Sequence, residues 1–196
     1  MPTGNKIVFL FPATLMVLLF IGGYFYLQQE TEFSNEELKD VVSFDVEAEA
    51  IENQLTVQVE WDWNAMPTDG LYGMDYISIA MMEPADEIVF TEGDIRLFYG
   101  HEEIFRSKGK VVSDGVIFSF PNELRDFESF GNLGEIVVDI EGEQLEKTEL
   151  TVYYVHTWSH HLGMLRDSAK LDEPSFENGP NVPYWVLTKP VEYTQK

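Results

Sequence analysis

Between Phe44 and Trp63 the chain alternates, and that alternation constrains the fold more than any other feature. Phe44, Val46 and Ala48 are interleaved with Asp45, Glu47 and Glu49. After a short polar break at 51–54, Leu55, Val57, Val59, Trp61 and Trp63 are interleaved with Thr56, Gln58, Glu60 and Asp62. Successive side chains of a strand point to opposite faces, so a period of two predicts two half-buried strands joined as a hairpin, apolar inward and acidic toward water. Further candidate strands are 76–82, 88–91, 95–99, 116–120, 135–140, 150–157 and 184–188. Turn signals separate them: Thr68-Asp69-Gly70, Glu92-Gly93-Asp94, 107–110, Ser113-Asp114-Gly115, 131–134 and Glu141-Gly142. Many short strands with frequent turns predict a mainly β domain, an antiparallel β-sandwich of immunoglobulin-like or jelly-roll type. Residues 122–130 are the best internal helix candidate. The proline-bearing stretch 173–183 reads as a long loop before the last strand.

A second regime precedes the strands. Residues 7–27 contain no charged side chain. A helix of that length reaches about 31 Å, close to the hydrocarbon thickness of a bilayer. Pro12 and Gly22-Gly23 are better tolerated in lipid than in a soluble helix, and Tyr24 and Tyr26 suit the headgroup region. A buried core helix is seldom apolar on every face for so long. A cleaved signal peptide would have a shorter apolar run ending at small residues, whereas Tyr-Leu-Gln-Gln-Glu follows here. The expectation is an uncleaved transmembrane helix over 7–27, preceded by a cytoplasmic N-terminus (1–6). An acidic stalk (28–40) and an extracytoplasmic sandwich domain (41–196) follow. Lys6 lies before the span, while Glu30, Glu32, Glu36 and Glu37 follow it, which sets the N-terminus inside. Within the stalk, Ser34 and Glu37 have the spacing of a capping box, so a short helix is expected there.

Charge belongs to the second regime. The chain carries 12 Lys and Arg against 35 Asp and Glu, a formal net charge of −23. No acidic residue falls in the first 29 positions and only Lys6 is basic there. Phosphate contacts need a basic surface, so nucleic acid is disfavoured as a partner. The acidic strand positions suit a solvated face, or a docking surface for a basic partner or divalent cations. No D-x-[DN]-x-[DN]-G loop points to a specific calcium site. There is no cysteine, hence no disulfide, no thiolate chemistry and no lipidated Cys. The absence of cysteines and of Asn-x-Ser/Thr sequons suits a bacterial exported protein.

Three constellations could carry function. His156, His160 and His161 crowd together with Met164 three residues on, and imidazole plus thioether are ligands for copper or zinc. The same residues could equally form a polar loop. The segment 64–76 is long for a hairpin and rich in Gly, Met and Tyr. Its Met66, Leu71, Tyr72, Met74 and Tyr76 form either a candidate binding surface or a loop folded over the core. Trp61 and Trp63 share a strand face with Val57 and Val59, so their indoles are expected in the core rather than on a glycan-stacking platform. No G-x-S-x-G elbow, H-E-x-x-H helix or glycine-rich phosphate loop occurs. The sequence thus reads as a single-pass, membrane-anchored extracytoplasmic interaction module without catalysis or cofactor. Its membrane contact runs through 7–27 and a protein partner would meet it at the membrane surface. The alternative is a copper- or zinc-handling protein using the His156–Met164 segment.

Overall fold

The structure is a computed structural model. It describes residues 6–27 and 33–195, apart from Pro84, Asp86, Gln144, Glu146, Lys147, Arg166 and 178–180; the side chains of 6–10, 25–27 and 194–195 are also outside the description. The chain divides into two units, Met1–Glu32 and Phe33–Lys196.

The first unit is the helix α1, Lys6–Leu27, with Pro12 inside it. Its described side chains, 11–24, are exposed. Among the described residues no helix is long and apolar enough to cross a membrane. The described residues therefore do not supply the expected transmembrane span. The Tyr26 side chain and residues 28–32, on which the aromatic and flanking-charge arguments partly rest, lie outside the described residues.

The second unit opens at Ser34. Its backbone N–H and hydroxyl donate to Glu37 Oε2 at 3.0 and 2.9 Å, and the Glu37 N–H donates back to Ser34 Oγ at 3.4 Å. These capping bonds set up the expected short helical turn, here a single 3₁₀ turn at Leu38–Asp40 that buries Leu38 completely. Strands follow: β1 (Val42–Ile51), β2 (Gln54–Trp63), β3 (Met74–Met81), β4 (Val89–Phe90), β5 (Asp94–Tyr99), β6 (Glu102–Ser107), β7 (Lys110–Val112), β8 (Gly115–Pro121), β9 (Glu123–Arg125), β10 (Glu128–Phe130), β11 (Leu133–Glu141), β12 (Leu150–Thr157), β13 (Tyr184–Pro190) and β14 (Tyr193–Gln195).

One sheet runs β14-β1-β2-β11-β5-β6, with β4 also on β11. The other runs β13-β12-β3-β8-β7. The hairpin read from the alternation is present, with Val42 opposite Trp63 and Ile51 opposite Gln54. Strand β11 continues the same inward rows, setting Ile136, Val138 and Ile140 against Val59, Val57 and Leu55. All six are fully buried. Each contributes about 1.5–3 kcal/mol of apolar burial. From the second sheet, Ile77, Ile79, Met81, Phe118, Phe120, Val152 and Tyr154 join them in one core. Gly134 sits on β11 opposite Trp61, and its missing Cβ leaves room for the indole ring.

The second sheet is buried on both faces. Tyr76, Ala80, Ile117, Tyr153 and Val155 point away from the core and are covered by Met164, Ala169 and Leu171. Ser78 Oγ donates to Ala169 O at 2.6 Å, and the Ala169 N–H donates to Asp114 Oδ1 at 2.8 Å, pinning that cover. This is why β3 is buried at every position after Met74, whichever way its side chains point, while β2 alternates. The loop expected at 173–183 thus belongs to a longer strap that begins after β12.

Three expectations need correction. Residues 122–130 form no helix but the hairpin β9–β10, turned through Asp126 and Phe127 at φ 47° and 72°. Leu124, Phe127 and Phe130 mimic a helical stripe by spacing, yet only Phe130 is buried; Phe127 is 91% exposed. Strands β6 and β7 flank the expected turn at 107–110 and are not among the expected strands. They are short edge strands, and a water-facing edge needs no apolar alternation. The sheets are not wholly antiparallel, since β14 runs parallel to β1 with Ala48 opposite Tyr193.

Candidate functional site

Asp75 opens β3 on the same side as Ile77 and Ile79, so strand parity drives a carboxylate into the interior. His156 lies near the end of β12 on the side of Tyr154 and Val152. The two meet between the sheets, both completely buried, with His156 Nδ1 2.9 Å from Asp75 Oδ2. Tyr154 donates its phenol O–H to the same oxygen at 3.1 Å and accepts from Trp63 Nε1 at 3.0 Å. Asp75 Oδ1 accepts from Asn122 Nδ2 at 3.1 Å and from the Thr157 N–H at 3.0 Å. Burial, reinforced by the Asp75 carboxylate, pushes the Tyr154 phenol well above its ordinary value.

The other edge of the imidazole faces Asn35, which is also completely buried. His156 Nε2 is 2.9 Å from Asn35 Oδ1. Asn35 Nδ2 donates to Asp69 Oδ1 at 2.8 Å and to Gly70 O at 2.9 Å, and its backbone N–H donates to Asp69 Oδ1 at 2.9 Å. Trp185 Nε1 donates to Asn35 O at 2.8 Å. Three indoles enclose the imidazole: Trp63 edge-on at 5.0 Å, Trp185 at 4.8 Å and Trp158 stacked at 5.6 Å between ring centroids. The cluster ties six parts of the chain together (residues 35, 63, 69–75, 122, 154–158 and 185) and has no opening to a dissolved molecule, since Asp75, His156, Asn122, Thr157 and Asn35 all have zero exposure. Asn122 Oδ1 is buried without a hydrogen-bond partner.

The histidine-methionine constellation does not converge. His156 points into the core, whereas His161 lies on the opposite face of the second sheet, its Nε2 2.8 Å from the Tyr76 hydroxyl and its ring 5.0 Å from Phe176. His160 is exposed and packs against Tyr72 at 5.9 Å. Met164 is buried in the strap, against the outer face of the second sheet. Among the described residues no three His, Cys, Asp or Glu side chains could hold a metal ion together.

The 64–76 segment divides as well. Met66 and Tyr72 are exposed, Leu71 packs on the main core and Met74 on the second one. Tyr76 is completely buried and belongs to no surface. The tryptophans expected inside are there: Trp61 and Trp63 are buried, with Trp61 Nε1 donating to Gly131 O at 2.7 Å.

The open chemistry lies on the outer face of the first sheet. Asp45 stands directly opposite Glu60, and Glu60 directly opposite Glu135. Arg96 continues that row beside Glu135, with which it forms an ion pair. Ser43, Asp45, Glu60, Asp62 and Glu135, with Phe98 and His101, line a shallow concavity of about 420 Å³. A second one, about 630 Å³, is lined in part by Glu47, Glu49 and Glu192. At the far edge Asp94 accepts from Lys108 and Arg106 at 3.0 and 3.2 Å, and these cations hold its carboxyl below the usual range.

No family model matches the chain, and no curated protein matches it. A solved structure with a partly similar course is the T6 backbone pilin of serotype M6 Streptococcus pyogenes, described as a modular three-domain structure decorated with variable loops and extensions. The identity is 9%, the TM-score 0.40, and the match covers 76% of this chain and 35% of that one. The chain therefore spans about a third of the length of that pilin.

Proposed function

We propose that this chain is a non-catalytic interaction module displayed at a cell membrane. Residues 7–27 cross the bilayer once, with the N-terminus cytoplasmic. The sandwich, of immunoglobulin-like or jelly-roll type, stands outside and offers the outer face of its first sheet to a protein with a basic surface. The observation that carries this reading is the row Asp45–Glu60–Glu135, acids set directly opposite one another across three adjacent strands, with a cation at each end, Lys189 on Asp45 and Arg96 on Glu135, and, among the described residues, none on Glu60 between them. Such pairs are destabilising. Solubility alone would be served as well by staggered acids. An aligned acidic row is what a basic partner neutralises on binding, with fast, salt-sensitive association.

The test is site-specific photocrosslinking from position 58, between the acidic columns, in native membranes. A discrete adduct is expected, lost when Glu60 and Glu135 become Lys and weakened by added salt. An adduct pattern indifferent to both would refute the docking face. External protease on intact cells checks the topology: digestion of the sandwich is expected, and survival of the domain untouched would overturn the orientation.

A further inference from the structure

We propose that His156 is a proton-loaded latch: held as an imidazolium inside the tryptophan enclosure, it uses its second N–H to lock Asn35, and with it residues 33–41, onto the sandwich. The orientation of the Asn35 amide is fixed from outside. Its Nδ2 already donates to two acceptors, Asp69 Oδ1 and Gly70 O, so Oδ1 must be the atom facing His156 Nε2. The other ring nitrogen faces a carboxylate oxygen, Asp75 Oδ2. Both ring nitrogens thus meet acceptors, and only the doubly protonated ring donates to both. Asn122 Nδ2, 3.2 Å from Nδ1, spends its protons on Asp75 Oδ1 and Thr157 O, at 3.1 and 2.9 Å. The surrounding indoles favour a cation over a neutral ring.

The polar atoms of Asn35 are committed to three walls of the interior: its N–H and Nδ2 to the β2–β3 loop, its Oδ1 to β12 and its carbonyl to Trp185 of β13. Losing the Nε2 proton leaves Asn35 Oδ1 and Nε2 as two acceptors face to face in a dry interior. The groups facing the imidazole that can change charge are Asp75 from β3 and the Tyr154 phenol from β12, with Asp69 reached through Asn35. Trp63, Trp158, Trp185 and Asn122 carry no charge. One proton therefore governs whether the segment leading from α1 stays docked.

The experiment uses the full chain in detergent micelles, with ¹⁵N-histidine labelling and hydrogen exchange corrected for the intrinsic rate. Because His156 variants disturb the whole interior, the variant is Asn35→Ala. At neutral pH both His156 nitrogens are expected to carry protons. In Asn35→Ala, amides of 36–41 should exchange roughly tenfold faster or more, which is ~1.4 kcal/mol, while 55–63 keep their protection. On raising the pH of the unmodified chain, opening of 36–41 should set in together with loss of the imidazolium signal. A bare ring nitrogen in the docked state overturns the proposal. So does unchanged exchange in Asn35→Ala, or a segment that stays shut after the imidazolium is gone.

Discussion

Replacing Asp75 by Asn should cost more stability than any other single polar substitution in this domain. Asp75 accepts four hydrogen bonds, from Tyr154, His156, Asn122 and the Thr157 backbone, and has no exposure. An amide is nearly the same size but turns one acceptor atom into a donor. Whichever way it sits, an N–H meets an N–H or O–H that previously donated to the carboxylate. The carboxylate oxygen that His156 Nδ1 faces is also lost or neutralised. Removing one partner of a buried, hydrogen-bonded pair typically costs about 3–5 kcal/mol. That is a large part of the ~5–15 kcal/mol available to a domain of this kind. At roughly 2–4 °C per kcal/mol for this size, the midpoint should fall by about 6–20 °C. Urea unfolding followed by tryptophan fluorescence reads it directly, because Trp63, Trp158 and Trp185 surround the cluster. Combining the change with His156→Gln should be clearly less than additive, since each substitution breaks the same bond. A loss below about 1 kcal/mol, or simple additivity, would refute the idea that the pair acts as one unit.

Three further outcomes are expected. Tyr154 is neutral when protonated and its folded value is raised, so its contribution is complete below the unfolded value near 10 and is lost as pH rises through the folded one. Melting from pH 8 to 11.5 should show a steep alkaline decline that Tyr154→Phe flattens, the remainder coming from Tyr153 and Tyr193, also raised by burial; an unaltered slope would show the phenol is not the cause. Gly134→Ala drives a Cβ into the Trp61 ring and toward Arg96 O, so a loss of about 1–3 kcal/mol is expected by urea midpoint, and a neutral result would mean the indole shifts freely. Phe127 holds φ 72° while almost wholly exposed, so Phe127→Gly should stabilise by ~1 kcal/mol; destabilisation would show that the ring has a partner.

Much of the scaffold was legible because burial on one side leaves a period of two. Residues 44–63 show it, and β12 occupies the expected 150–157. Legibility failed where water or a second cover changes the rule. Strands β6 and β7 are charged edges, so nothing in Glu102–Ser107 alternates. The 122–130 segment carries apolar residues three apart, and only the two left-handed turn residues decide against a helix. The sealed cluster was half visible. The sequence points to His156 on its strand, but as a ligand at the rim beside His160, His161 and Met164, whereas strand parity puts it on the side of Tyr154 and into the core. The same parity argument applied to Asp75 would have flagged a carboxylate in line with Ile77 and Ile79. No local pattern could have supplied Asn35, which reaches His156 across 121 positions of chain.

The two sheets differ in what they can offer a partner. The second has both faces occupied: Ile77, Ile79 and Val152 turn to the shared core, while Tyr76, Ile117 and Val155 turn to the strap, all nearly without exposure. Undocking that strap would expose a contiguous apolar layer, so it behaves as a third layer of the fold. Of the two large sheets, the first keeps a face open to water among the described residues, and there the sequence places Asp45, Glu47, Glu49, Glu60, Asp62 and Asp139, with Arg96 and Lys189 at the ends of one row. The negative charge of the domain is therefore directed by its architecture. One carboxylate, Asp75, is drawn inward to meet His156, while the acids on alternate strand positions are concentrated on the exposed outer face of the first sheet. A basic partner would be steered to that face by the same alternation that builds the hairpin, so a one-residue slip of β1 against β2 would abolish core and docking face together.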